Sequence, residues 1–135
     1  MTETQKAYLA GIIDGEGCIG IFAGKSNGSA SLIVRIGMCS YETISTIAKW
    51  IGCPVLKEKK RREYQQLWLI QLTFQQAEDV LKAVLPYLIT KKEQAQLALD
   101  FREFQKSIPK YNRSEQQLTT LHNFICKSKL LHNPT

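Results

Sequence analysis

The stretch Leu9-Ala-Gly-Ile-Ile-Asp-Gly-Glu-Gly17 decides how this chain folds. It lies in a predicted helix that starts at the capping box Thr2-x-x-Gln5 and ends at about Gly15 or Gly17. The helix is apolar on nearly every side through Ile13, so it must be covered on more than one face. We expect Leu9, Ile12 and Ile13 to pack on a sheet, which leaves another side of the helix for a different partner.

Small residues form a stripe along that other side, at positions i, i+3, i+4 and i+8: Ala7, Ala10, Gly11 and Gly15. Glycine inside a helix costs about 1 kcal/mol relative to alanine, so two glycines need a structural reason. Small side chains let two helix backbones approach closely. The stripe therefore predicts a dimer interface in which the same helix of a second subunit packs across a two-fold axis.

Two carboxylates, Asp14 and Glu16, stand at the C-terminal end of this helix. Carboxylates there oppose the helix macrodipole, and a cation would remove the conflict. Mg²⁺ takes oxygen ligands, often one or two protein carboxylates together with substrate phosphates. One chain offers too few such ligands, whereas a dimer brings two copies to its axis.

The rest of the chain reads as two similar halves followed by further helices. The predicted elements are strands at 18–22 and 31–38, a helix over 41–51, strands at 55–59 and 67–74, helices over 75–85 and 91–105, and a last helix capped by Ser114-x-x-Gln117. This α-β-β-α-β-β-α order predicts an α+β fold, with helices on one face of an antiparallel sheet made from two hairpins. In the second strand, alternation puts Leu32, Val34 and Ile36 on one face and Ser31, Ile33 and Arg35 on the other.

Composition narrows the class of protein. The 135 residues suit one domain, and the net charge of +6 suits an anionic partner, of which nucleic acid is the commonest. There is neither a secretory signal pattern nor an apolar run long enough for a bilayer span, so we expect a soluble intracellular protein without a membrane partner. The four cysteines lie far apart without a CxxC pair, and we interpret them as reduced: Cys18, Cys39, Cys53 and Cys126.

Two segments carry a resemblance to a known family. Residues 9–17 resemble the signature of the LAGLIDADG homing endonucleases, and Cys18-Ile-Gly-Ile21 is similar to the strand start that follows it. Residues 85–101 are similar to the family's PYL-x-x-K-x-x-Q-A segment. The resemblance covers about residues 4–105, and residues 106–135 are interpreted as a C-terminal helical extension of the same domain. It implies the single-motif, homodimeric type with a curved sheet.

The resemblance also implies an activity and its residues. It implies site-specific double-strand cutting of a long, near-palindromic DNA target by hydrolysis that depends on Mg²⁺ or another divalent metal. Glu16 would be the metal-binding carboxylate, and the backbone carbonyl of Gly15 a second ligand. Asp14 would have a structural role. Lys91 matches the basic active-site residue, with Lys92 the near alternative.

The resemblance also implies that one face of the sheet is concave and lies along the DNA major groove. Arginine and lysine on such a surface can read guanine or neutralise phosphate. Lys57 and Lys59 alternate with Leu56 and Glu58, and Arg35 alternates similarly on its own strand. An ordinary exposed sheet edge is the alternative interpretation for the lysines. The expected DNA-binding residues are Ser29, Ser31, Arg35, Lys57, Lys59 and Arg61.

Two other functions stay open from the sequence. The first is a module that binds DNA, or intron RNA in the manner of a maturase, without cleaving it. The second is a basic homodimeric structural protein with no catalysis. A carboxylate at Glu16 argues against lost cleavage, but it does not exclude RNA as an additional partner.

Overall fold

The computed structural model describes residues 1–26, 28–58 and 65–132. The predicted element order is confirmed. The elements are α1 (Glu3–Glu16), β1 (Gly17–Ala23), β2 (Ala30–Met38), α2 (Tyr41–Ile51), β3 (Leu56–Lys57), β4 (Trp68–Thr73), α3 (Phe74–Val84), a 3₁₀ turn (Leu85–Tyr87), α4 (Lys92–Ser107) and α5 (Glu115–His132).

The four strands form one antiparallel sheet in the order β1-β2-β4-β3, so two hairpins lie side by side. The helices pack on one face, and that face supplies the core. The predicted alternation along β2 is confirmed, because Leu32, Val34 and Ile36 are buried while Arg35 is exposed. The sheet residues of this core, which we call the helix-covered face, are Ile19, Ile21, Leu32, Val34, Ile36, Ile70 and Leu72.

Helix α1 begins and ends as its sequence predicts. The Thr2–Gln5 capping box is formed in both directions. Leu9 and Ile13 are fully buried in the core. A Cβ atom on Gly17 would lie 2.9 Å from the Ile13 backbone, so glycine is required where the helix passes directly into β1 without a loop. The end of α1 is thereby fixed against the start of the sheet.

Several boundaries differ from prediction, including those of β3, α3 and α4. Strand β3 pairs with β4 over only two residues, followed by one further hydrogen bond from the Glu58 N–H to the Leu67 carbonyl. Helix α3 starts one residue earlier, at Phe74, and gives way to the 3₁₀ turn around Pro86, whose ring cannot continue an α-helix. Helix α4 starts at Lys92, with Lys91 as its N-cap residue.

The C-terminal helix α5 covers the free edge of β1. Its predicted capping box is confirmed, since Ser114 and Gln117 bond reciprocally. The Ile21 N–H donates to the Ser128 hydroxyl at 3.0 Å, and the His132 ring bonds the Ile19 carbonyl. These bonds satisfy backbone groups that an edge strand otherwise leaves unpaired. Within the described ranges, no helix has the length and apolar character required to cross a bilayer.

Candidate functional site

Asp14, in the last turn of α1, holds the loop that precedes α4. Its carboxylate accepts the backbone N–H groups of Ile89 and Lys91, each at 2.9 Å. Desolvation by burial is the largest single influence on the pKa of Asp14 and raises it. The backbone N–H groups of residues 89–91 and the Lys91 charge together outweigh it and lower the pKa below its usual value. Asp14 is therefore an ionised anchor between two distant parts of the chain.

The Lys91 side chain reaches in the other direction, to the C-terminal end of α1. Its ammonium donates to the carbonyls of Ile13 at 3.0 Å and Asp14 at 2.8 Å. Carbonyls at a helix C-terminus carry partial negative charge, so a cation is favourable there even though the Ile13 carbonyl also accepts the Gly17 N–H. The sequence predicts Mg²⁺ beside these acidic residues, and the structure also places the Lys91 ammonium at this end of the helix. Two of its three donors are used, which leaves one for another acceptor.

Glu16 and Gly15 are exposed at the same end of α1. No salt bridge between described residues involves Glu16. A carboxylate and a backbone carbonyl are oxygen donors of the kind that Mg²⁺ takes, so this donor set fits the expected metal. Residues 1–26, 28–58 and 65–132 contain no cluster of three or more His, Cys, Asp or Glu side chains able to hold a metal. A metal held by Glu16 and Gly15 would need further ligands from phosphate, water or a second chain.

The structure brings Glu16, Gly15 and Lys91 together at one end of α1. Lys92, the alternative basic residue, is exposed at the first position of α4. The bonds to the α1 carbonyls come from Lys91. The two segments that resemble the known family therefore meet in space although they are more than seventy positions apart in the chain.

One side of α1 is an exposed strip of small residues. Ala7, Gly11 and Gly15 lie on it at i, i+4 and i+8, and a Cβ atom on either glycine would meet nothing within 4 Å. The expectation that Ala10 belongs to this strip is wrong, because Ala10 is 0% exposed and faces the core of its own chain. Tyr8, which is 49% exposed and packs edge-on against Trp50, lies beside the strip and was not predicted from the sequence.

The second face of the sheet, which we call the open face, is not covered by the helix layer and carries Ser31, Ile33 and Arg35. Pairing puts Gln71 directly opposite Arg35, and Thr73 opposite Ile33. None of the described strand residues on the open face is acidic. Gln71 and Thr73 were missed by sequence reasoning, because both faces of β4 are partly apolar and only its register with β2 shows which residues face outward.

Lys57 does not share the open face. The register pairs it with Trp68, which lies on the helix-covered side together with Met38. Leu56 is the β3 residue on the same face as Arg35, so the expectation that Lys57 and Arg35 line one surface is wrong. The Lys57 ammonium instead lies 5.7 Å from the centroid of the Trp68 ring. This contact is a cation–π interaction at the sheet edge.

The other predicted DNA-binding residues lie beside the open face or outside the described residues. Ser29 lies in the β1–β2 turn, where its hydroxyl donates to the Ser26 carbonyl at 2.8 Å. Lys59 and Arg61 lie outside the described residues. The described candidates on or beside the open face are therefore Ser29, Ser31, Arg35, Gln71 and Thr73.

Comparison with known proteins gives a consistent result at the level of fold. No protein-family model matches the sequence, and no curated protein matches it. Solved structures do match. The homing endonuclease I-CvuI in complex with its target has a TM-score of 0.76 at 22% sequence identity, covering 98% of this chain and 85% of that chain.

Two other structures match over different shares of their length. The LAGLIDADG meganuclease I-AabMI bound to uncleaved DNA has a TM-score of 0.69 at 18% identity, covering 88% of this chain and 43% of that chain. The homing endonuclease I-TnaI has a TM-score of 0.66 at 14% identity, covering 94% and 92% of the two chains. This chain has the fold of the LAGLIDADG homing endonucleases.

Proposed function

We propose that two copies of this chain form a homodimer that cuts both strands of a long, near-palindromic DNA site by metal-dependent hydrolysis. The observation that carries the proposal is the meeting of Glu16, Gly15 and Lys91 at the end of α1. That end leads directly into β1, the first strand of the open face. The proposed cleavage site therefore lies next to the surface proposed to bind DNA.

DNA binding is assigned to the open face. Its described strand residues include Arg35 and Gln71 side by side and carry no carboxylate. Arginine and glutamine are side chains that can form paired hydrogen bonds with guanine and adenine in the major groove. The net charge of +6 adds a general attraction to the DNA backbone.

The homodimer is assigned to the exposed side of α1. Ala7, Gly11 and Gly15 leave the helix backbone accessible, and a two-fold axis beside this strip would bring two copies of Glu16 together. Each chain would then serve one DNA strand. The comparisons support this in one respect. This chain covers 43% of the I-AabMI chain, so the I-AabMI chain is long enough to contain two copies of the fold.

The roles of the residues follow from their positions. The Glu16 carboxylate and the Gly15 carbonyl would hold a divalent cation, with phosphate oxygens and water completing its coordination. When bound, such a cation supplies an activated water and stabilises the charge on the leaving oxygen. Lys91, already fixed by two helix carbonyls, has one donor left to hold a phosphate oxygen. Asp14 keeps that lysine in place.

A selection followed by a cleavage assay tests the proposal. The full-length protein would first select a site from a randomised duplex library. The selected site, placed in a supercoiled plasmid, would then be incubated with Mg²⁺ or with EDTA. We expect a near-palindromic site and Mg²⁺-dependent linearisation. Selective binding without cutting would show that the protein is a DNA-binding module and not a nuclease. The absence of any selected site would overturn the proposal.

A further inference from the structure

A cleft of about 660 Å³ lies at the end of the sheet away from Glu16. Its walls are the β1–β2 turn, the first residue of α3, the C-terminal half of α4 and the loop between α4 and α5. It meets the open face at Ser31, which contributes to both. The side chains that matter for its chemistry are Phe74, Arg102, Lys110, Tyr111 and Arg113.

The cleft is cationic. None of its described lining residues carries a carboxylate. Arg113 donates to the carbonyls of Pro109 at 2.8 Å and Gly28 at 2.7 Å, which fixes the loop against the β1–β2 turn. Lys110 is exposed at the rim. This arrangement favours an anion.

Arg102 adds a buried positive charge to the wall of the cleft. It is only 8% exposed, and its Nη1 donates to Gln105 Oε1 at 2.8 Å. Its Nε has no hydrogen-bond partner among the described residues. The neighbouring Glu78 lies 3.8 Å from Arg102 but also pairs with Lys82 and Lys106, so its charge is already balanced. A buried guanidinium N–H without an acceptor is costly, and the charge of Arg102 adds to the positive potential of the cleft wall that it lines.

Two exposed aromatic rings also line the cleft. Phe74 is 55% exposed and has φ 51°, a left-handed conformation that is strained for a bulky side chain. Such strain persists where the surroundings enforce it, and it is concentrated at ligand sites. Tyr111 is 74% exposed, with the Lys110 ammonium 5.7 Å from its ring centroid. Cations beside exposed rings are the combination that proteins use to bind single-stranded nucleic acid.

We propose that this cleft binds an unpaired nucleotide of a single-stranded nucleic acid. Tyr111 and Phe74 stack on bases, while Lys110 and the Arg113 guanidinium hold the phosphate and the buried charge of Arg102 adds to the attraction. Bases inside a duplex are already stacked on each other, so the rings select a single strand over the duplex assigned to the open face. This function does not depend on cleavage or on the metal.

Fluorescence anisotropy with labelled oligo-dT and oligo-rU, using the full-length protein, tests the proposal. Tyr111→Ala should weaken binding of at least one strand about 5- to 150-fold, the range measured for loss of one stacked base. Lys110→Ala should weaken it and reduce its salt dependence. Lys49→Ala, a charge-matched change on the exposed side of α2, should change nothing. A preference for dT or rU identifies the natural strand.

Two results would overturn the proposal. One is equal single-strand affinity for Tyr111→Ala and the wild type. The other is that an unlabelled duplex competes as well as a single strand and loses affinity equally in the variant. Glu16→Gln should keep full single-strand affinity, so failure of the cleavage account leaves this proposal separately testable.

Phe74→Asn tests whether the Phe74 ring binds the strand or only stabilises the fold. Asparagine tolerates positive φ better than phenylalanine. We expect an unchanged or higher Tm together with weaker single-strand binding. A lower Tm with unchanged affinity would remove Phe74 from the site.

Discussion

Asp14 and Lys91 hold each other through four atoms: the Asp14 carboxylate accepts the Lys91 backbone N–H at 2.9 Å, and the Lys91 ammonium donates to the Asp14 carbonyl at 2.8 Å. The first bond fixes the start of α4, and the second covers the end of α1. The pair therefore joins the two segments on which the proposed site depends.

Asp14→Asn should lower the free energy of unfolding by about 1–3 kcal/mol, because it replaces a charged acceptor of backbone N–H groups by a neutral one. The pKa of Asp14 is lowered in the folded state, so its contribution is present above the unfolded-state pKa and lost as the pH falls through the folded-state pKa. Urea unfolding from neutral to acidic pH would measure this. The difference between wild type and variant should shrink toward acid, and a difference that does not depend on pH would contradict the assignment.

Lys91→Met should reduce cleavage about 100- to 1,000-fold while DNA affinity falls much less, because the lost donor is assigned to the scissile phosphate. The matched control is Lys92→Met, one residue further along and outside the bonds to α1. Single-turnover cleavage and equilibrium binding would be measured for both. Equal effects of the two substitutions would show that Lys91 contributes only its charge.

Gly11→Leu should convert a dimer into a monomer. A Cβ atom at this position meets nothing within 4 Å in the single chain, so a loss of association would not come from a clash inside the subunit. Sedimentation velocity at micromolar concentration gives the oligomeric state, and circular dichroism confirms that the fold is kept. Gln76→Leu on the exposed side of α3 is the control and should remain dimeric. A monomeric wild type would exclude the proposed interface.

Arg35→Ala and Gln71→Ala should each cost about 1–3 kcal/mol in DNA affinity and relax the preference at one base pair in each half of the site. Lys57→Ala should leave that preference unchanged, because Lys57 lies on the other face of the sheet beside Trp68. Binding selections with the three variants would compare them. Relaxed preference in Lys57→Ala alone would mean that the opposite face meets the DNA.

Local sequence patterns predicted most helices and strands, because the signals that start and end them lie within a few residues. The capping residues Thr2 and Ser114 and the stop at Gly52 act within a few positions, so they can be read from the sequence. The face of β2 could be predicted because its apolar residues alternate strictly. The face of Lys57 could not, since it depends on how β3 pairs with β4.

The site could be predicted only in part. Glu16, Gly15 and Lys91 were identified through the family resemblance, but the bonds between Asp14 and the start of α4 join residues 75 and 77 positions apart. No local pattern specifies such contacts. The spacing of the small-residue stripe likewise did not show which of its residues pack inside the subunit, and Ala10 is buried in the core. The cleft beside Tyr111 arises from loop packing, which periodicity does not reveal.

Glu16→Gln tests the central claim most directly. Glutamine keeps the size of the side chain and one of its oxygens but removes the charge that binds a hard cation. We expect the variant to stay dimeric and bind the selected DNA site with affinity close to that of the wild type. It should give no linear plasmid in Mg²⁺, while Glu16→Asp keeps some cutting. Normal cleavage by Glu16→Gln, or cleavage by the wild type in EDTA, would contradict the account.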